Sequence, residues 1–346
     1  LILGYADNSI TNLANHLNNH SMLNKSRRSV YGPIIIDDSL AANFDFPNST
    51  LKYLDQDGIL PEETLTIEVS RGCIFKCLFC SYPLNGKKKL DYIKNEELLY
   101  QEFVDNYENH GVTRYRFSDD TFNDSREKIE MIHRISKRLP FKLEYWAYLR
   151  LDLLSAHIDT VDLLLESGLI STYFGIETFH PKAAAAIGKT GNYNKSLDTL
   201  RYIKSIAGEN INIGAGFILG LPYEDMNSIN NTVNKLINGE IPIDHWSLYP
   251  LMLREGSFAF LSDLSKNYES YGYRKLGVKP NGTVIWENDY TDEPTVSKLA
   301  QDSLDEGFRR GTNRTTRAIL DAYGLGFDVK NKQHREIDWH QLFLNK

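Results

Sequence analysis

The feature that most restricts the fold is a regular exchange of two hydropathy periods between residues 64 and 249. Short stretches rich in β-branched and aromatic residues alternate with longer ones whose apolar residues recur at three- and four-residue spacing. The first kind reads as strand and the second as helix. The strand-like stretches are 64–70, 113–118, 143–148, 171–177, 211–219 and 245–249, and the helix-like ones are 95–109, 123–138, 157–166, 194–207 and 226–237. Asn95 is placed to cap the first helix, and Gly111 stands just beyond its end. Alternation of this kind produces a parallel sheet with helices outside. Eight units close a full barrel, and six leave an open one with a wide mouth. The expected fold class is therefore α/β, a partial (β/α)6 TIM-type barrel over residues 61–254.

The flanks are less regular. Residues 1–60 read as an N-terminal segment and connector, polar and turn-rich from 21 onward. Before that, Leu1-Ile2-Leu3-Gly4 resembles a strand end, and Ile10, Leu13 and Leu17 follow at helical spacing, a short α/β remnant. Residues 255–346 read as a mixed C-terminal extension, with a helix over 292–310 and a short one over 335–345, covering the open side or the bottom of the barrel.

Within this frame sits a cysteine triplet. Cys73, Cys77 and Cys80 form a C-x3-C-x2-C pattern at the end of the first strand and are all the cysteines in the chain. Three thiolates on one loop can wrap one metal centre. They do not complete four-coordinate zinc, and they leave one iron of a [4Fe-4S] cube without a protein ligand. Barrels of alternating strands and helices place their chemistry at this end of the strands. A structural zinc with a distant fourth ligand, or a passive electron-transfer cluster, stays open as an alternative. An odd, clustered set of cysteines makes no disulfide framework, which points to a reducing cytoplasm. The net charge of −7 argues against nucleic acid as a partner. No apolar run reaches membrane-spanning length.

The triplet, its strand and the aromatic Phe79 before the last cysteine resemble the signature of the radical SAM (S-adenosylmethionine) superfamily. That resemblance implies a [4Fe-4S] cluster on Cys73, Cys77 and Cys80, with SAM on the open iron. Other strand ends then become candidates for holding SAM. Asp119 and Asp120, in Ser118-Asp-Asp-Thr-Phe122, resemble the Asp-Asp-x-Phe variant of the cobalamin-associated group and could accept from the SAM amine; they could also simply cap the next helix. Arg150 could fork onto the SAM carboxylate, or pair with Asp152 or Glu177. Glu177 ends an apolar strand, where a carboxylate needs a partner. Gly220, in Gly220-Leu221-Pro222, resembles the family turn beside the adenine. Lys189 reads as solvent-facing, and Gly188-Lys189-Thr190 lacks the earlier glycine of a phosphate loop.

The function implied is reductive cleavage of SAM to a 5′-deoxyadenosyl radical that abstracts hydrogen from an unidentified substrate, for methyl transfer or rearrangement. An electron donor such as flavodoxin or ferredoxin is the implied partner. Gly4-Tyr5-Ala6-Asp7 resembles the end of a cobalamin-binding-type domain, although a plain helical cap reads equally well, and no Asp-x-His-x-x-Gly motif marks a cobalamin ligand. Cobalamin is thus left open as a second cofactor.

Overall fold

A computed structural model describes residues 45–256 and 261–313. The expected N-terminal remnant and the helix over 335–345 lie outside these residues. Six strands, β1 (Thr64–Ile67), β2 (Arg114–Phe117), β3 (Glu144–Leu149), β4 (Leu169–Glu177), β5 (Asn212–Leu219) and β6 (His245–Pro250), form one sheet in sequence order. Every pairing is parallel. The sheet is not closed by a β6–β1 pairing, as a partial barrel requires.

Helices connect the strands: α1 (Glu96–His110), α2 (Arg126–Arg138), α3 (Leu151–Ala156), α4 (Asp159–Glu166), α5 (Pro181–Ala186), α6 (Tyr193–Ala207) and α7 (Met226–Ile237). Asn95 caps α1 by accepting from the Glu97 and Leu98 amides, and Gly111 ends it in the left-handed region. Two helices were not expected. The segment read as 157–166 begins at Asp159 and is preceded by α3, and α5 fills the loop after β4. Both are six residues long, too short for apolar periodicity to reveal.

Alternation along β2 sorts its two faces. Tyr115 and Phe117 are buried towards the helices, where Phe117 stacks on Tyr145 at 4.3 Å between ring centres. Arg116 takes the opposite, inner face of the curved sheet.

The extension after β6 supplies α8 (Asp263–Lys266), an antiparallel hairpin of β7 (Arg274–Val278) with β8 (Val284–Glu287), and α9 (Glu293–Arg310). Helix α9 and the turn after it close on β6. The Trp246 backbone N–H donates to the Asn313 side-chain oxygen at 2.7 Å, and its indole N–H donates to Thr312 O at 3.1 Å. In the hairpin, the buried Trp286 donates to Leu251 O at 2.8 Å.

Candidate functional site

The cysteine loop leaves β1 through Gly72, whose φ is +146°. A Cβ there would stand 2.8 Å from Lys87 Cε and 3.2 Å from Leu84 O, so only glycine fits. The loop then folds back on itself. Cys73 N–H donates to Leu84 O at 3.2 Å, Lys87 N–H to Cys73 O at 3.0 Å, and Gly86 N–H to Phe75 O at 2.9 Å.

Beneath the loop lies a buried charge network. The Asp124 carboxylate accepts from Ile74 N–H at 3.2 Å and from the Tyr92 hydroxyl at 3.0 Å, and pairs with Lys128 at 2.6 Å. Lys128, fully enclosed, also donates to the Ser70 hydroxyl at 3.0 Å and Thr121 O at 2.9 Å. Removing one partner from such a network leaves an uncompensated charge, at about 3–5 kcal/mol. The loop is therefore anchored to the start of α2 by charge as well as by packing.

The three thiols line one cavity of about 240 Å³ at the C-terminal ends of the strands. Phe79, Asp120, Arg150 and Glu177 line it too, together with Thr121, Tyr148, Tyr173 and Lys189. A second cavity of about 260 Å³ shares Phe79, Tyr173, Gly175 and Glu177 and extends over Gly216 and Tyr249 on β5 and β6. On the outer side of the loop, Cys77 and Cys80 also border a cavity of about 280 Å³ with Lys76, Asp263 and Lys266.

Seven of the nine residues singled out from the sequence thus meet in one cavity. The other two do not line it. Asp119 is buried behind the loop, where its carboxylate accepts from Val69 N–H at 3.1 Å and from the Ser70 hydroxyl and stands 3.5 Å from Lys128. Two adjacent carboxylates at a turn point apart, so Asp120 takes the cavity and Asp119 the network. Gly220, φ +85°, packs against Trp286: a Cβ would meet its Cη2 at 2.4 Å. Its carbonyl accepts from the Tyr273 hydroxyl at 2.7 Å.

Arg150 spends its fork on Asp152, at 3.0 and 2.6 Å, and aims Nη1 at Cys77 Sγ, 3.7 Å away. Glu177 holds φ +67°, uncommon for a residue with a side chain, and pairs with Lys189 at 3.1 Å. Lys189 is therefore not solvent-facing: its side chain is 7% exposed. The demand of a strand-end glutamate for a partner was the sequence signal for it. Tyr148 and Tyr173 were missed because inward strand aromatics look the same whether they line a core or a cavity.

Burial pushes the Cys73 and Cys77 thiols above their ordinary range, and at Cys77 the charges of Lys189 and Arg150 oppose that. Cys80 Sγ accepts from Tyr82 N–H at 3.4 Å. Among the described residues no three His, Cys, Asp or Glu side chains gather closely enough to hold a single metal ion. The donor set is instead three sulfurs spread over a cavity wall, with cations and an amide beside two of them. That chemistry fits an anionic thiolate-bound group larger than one ion.

Residues 67–236 match the family model of the Radical SAM superfamily. An uncharacterised methyltransferase of Pyrococcus horikoshii is 26% identical over 167 residues, 48% of this chain and 35% of that protein. The hopanoid C-2 methylase of Rhodopseudomonas palustris is 27% identical over 162 residues, 45% of this chain and 30% of that protein. This chain thus spans about a third of the length of these curated relatives. Among solved structures, the radical S-adenosylmethionine methyltransferase TsrM from Kitasatospora setae, with tryptophan and a SAM analogue bound, superposes with a TM-score of 0.57. It is 13% identical, and the match covers 83% of this chain and 63% of that one, a likeness of fold.

Proposed function

From the premise that this chain carries a radical SAM domain, we propose that it is a radical SAM enzyme whose cluster is held by Cys73, Cys77 and Cys80. The observation that carries this reading is the meeting of all three thiols with polar ends of β2, β3 and β4 around one cavity. When bound, the cluster and SAM supply a 5′-deoxyadenosyl radical for hydrogen abstraction.

The residues of the chain bind, orient and shield. Asp120 is the acceptor for the SAM amine. Lys189 locks Glu177 at the strand end, leaving the remaining carboxylate lone pairs to face the ligand. Arg150 and Lys189 offset negative charge at Cys77. Phe79, shared by the two cavities, separates the thiols from the space over β5 and β6 and excludes water there.

The names of the relatives support methyl transfer as the reaction, with rearrangement as the outcome to exclude. Cobalamin is left as a second cofactor for that chemistry. The outer cavity beside Cys77 and Cys80, rimmed by Lys76 and Lys266, suits an acidic electron donor such as flavodoxin or ferredoxin.

Anaerobic reconstitution tests this. The expected product is a brown protein with about four irons, an EPR signal perturbed by SAM, and 5′-deoxyadenosine released on reduction. Changing any one of Cys73, Cys77 or Cys80 to Ala should abolish cleavage while leaving the thermal midpoint within a few degrees of the parent. One equivalent of tightly held zinc with no SAM cleavage would refute the proposal in favour of a structural metal site.

A further inference from the structure

The inner face of β2 carries a cation that the proposed mechanism does not use. Of the cations on or beside the inner face, Arg114 meets Glu144 at 3.2 Å, Arg150 meets Asp152, Lys189 meets Glu177, and Arg71 meets Glu68. Arg116 differs. It is exposed, and among the described residues no carboxylate lies within ion-pair reach of it.

Its position is nonetheless fixed. The guanidinium lies over the Trp146 ring, 5.2 Å from the centroid, and its charge opposes the upward push that burial gives the Tyr148 hydroxyl. Tyr148 itself lines the cavity of the three cysteines. A stacked guanidinium with no carboxylate partner among the described residues, one side chain away from that cavity, is a preformed receptor for a planar or tetrahedral anion.

We infer that the substrate carries an anionic group, a carboxylate or a phosphate, and that Arg116 holds it on the inner face of β2 and β3. The inference rests on the radical reading only for what happens at the other end of the substrate. The anion fixes one end, and the carbon to be attacked extends along Tyr148 towards the thiol-lined cavity.

The cation–π contact supplies the test. Trp146 emission is titrated in the reconstituted full chain with inorganic phosphate and, separately, with acetate, at ionic strength held constant with chloride. A saturable change is expected, absent in Trp146→Phe and shifted to at least about tenfold higher anion concentration in Arg116→Gln, as loss of a charge-assisted bond implies. Arg116→Lys, which keeps the charge but not the fork, should fall between. A lower midpoint for acetate makes the substrate group a carboxylate, and a lower one for phosphate makes it a phosphate ester. No saturable change in the parent, or one untouched by Arg116→Gln at unchanged thermal midpoint, overturns the inference. Failure of the parent to release 5′-deoxyadenosine would tell against the radical reading alone, since the anion response does not pass through SAM.

Discussion

Single residues in this molecule divide into those that face the cavity and those that keep it in shape, and the two kinds look alike in sequence. Asp119 and Asp120 are neighbours with opposite duties, separated only by the direction of a turn. Glu224 belongs wholly to the second kind. Its carboxyl accepts from the Thr178 hydroxyl at 2.5 Å and from the amides of Gly220 and Leu221 at 3.0 Å each, tying the end of β4 to the turn after β5. Burial pushes it from its ordinary 4.5 up to about 7, with those bonds opposing. A carboxyl raised on folding holds its proton more tightly in the folded state. Its stabilising contribution is therefore complete below pH 4.5 and is lost as pH rises through about 7. Glu224→Gln, close in shape and unable to ionise, should lose less stability over that range. The difference between the two proteins should change by up to about 3 kcal/mol between pH 4.5 and 7.5 in denaturant unfolding. Parallel pH profiles would show that the carboxyl does not titrate as its burial demands. None of this is legible in the sequence, where Glu224 is one more polar residue in a turn.

At the scale of elements the sequence was more informative, because period and length carry the signal. The six strands and the long helices fell within a few residues of their expected bounds, and the cysteines fell at the end of β1. What escaped were elements shorter than two turns and the hairpin of β7 and β8, whose outward residues are exposed and whose register depends on packing around Trp286. Helix α9 shows how context reverses propensity. Gly307 sits inside it, where alanine ordinarily gains up to about 1 kcal/mol. Here a Cβ would stand 2.4 Å from Trp246 Cζ2, in the seam that covers β6. Gly307→Ala should therefore destabilise by about 1–3 kcal/mol in urea unfolding, the overpacking cost winning over helix propensity. A more stable variant would mean that the seam yields without cost.

For the molecule as a whole, the net charge of −7 conceals a local reversal. Lys76, Lys88, Lys89 and Lys266 are exposed on and around the cysteine loop. If an acidic donor reduces the protein through this face, the bimolecular rate with flavodoxin should fall about tenfold between 50 and 300 mM salt, as expected for attraction screened over a Debye length. Lys88→Glu should slow it at low salt. A rate indifferent to both would move the donor elsewhere.

The order of the strands has a consequence of another kind, for synthesis rather than chemistry. Each strand pairs with the one made just before it, across a connection of one or two helices. The sheet can therefore grow from β1 as the chain emerges, each new unit closing only a short loop. The cysteine loop sits on the first strand, so its foundation precedes Lys189, the last wall residue of its own cavity, by more than a hundred residues of translation. Among the described elements the seal of α9 on β6 comes last, and until it forms β6 presents an open edge.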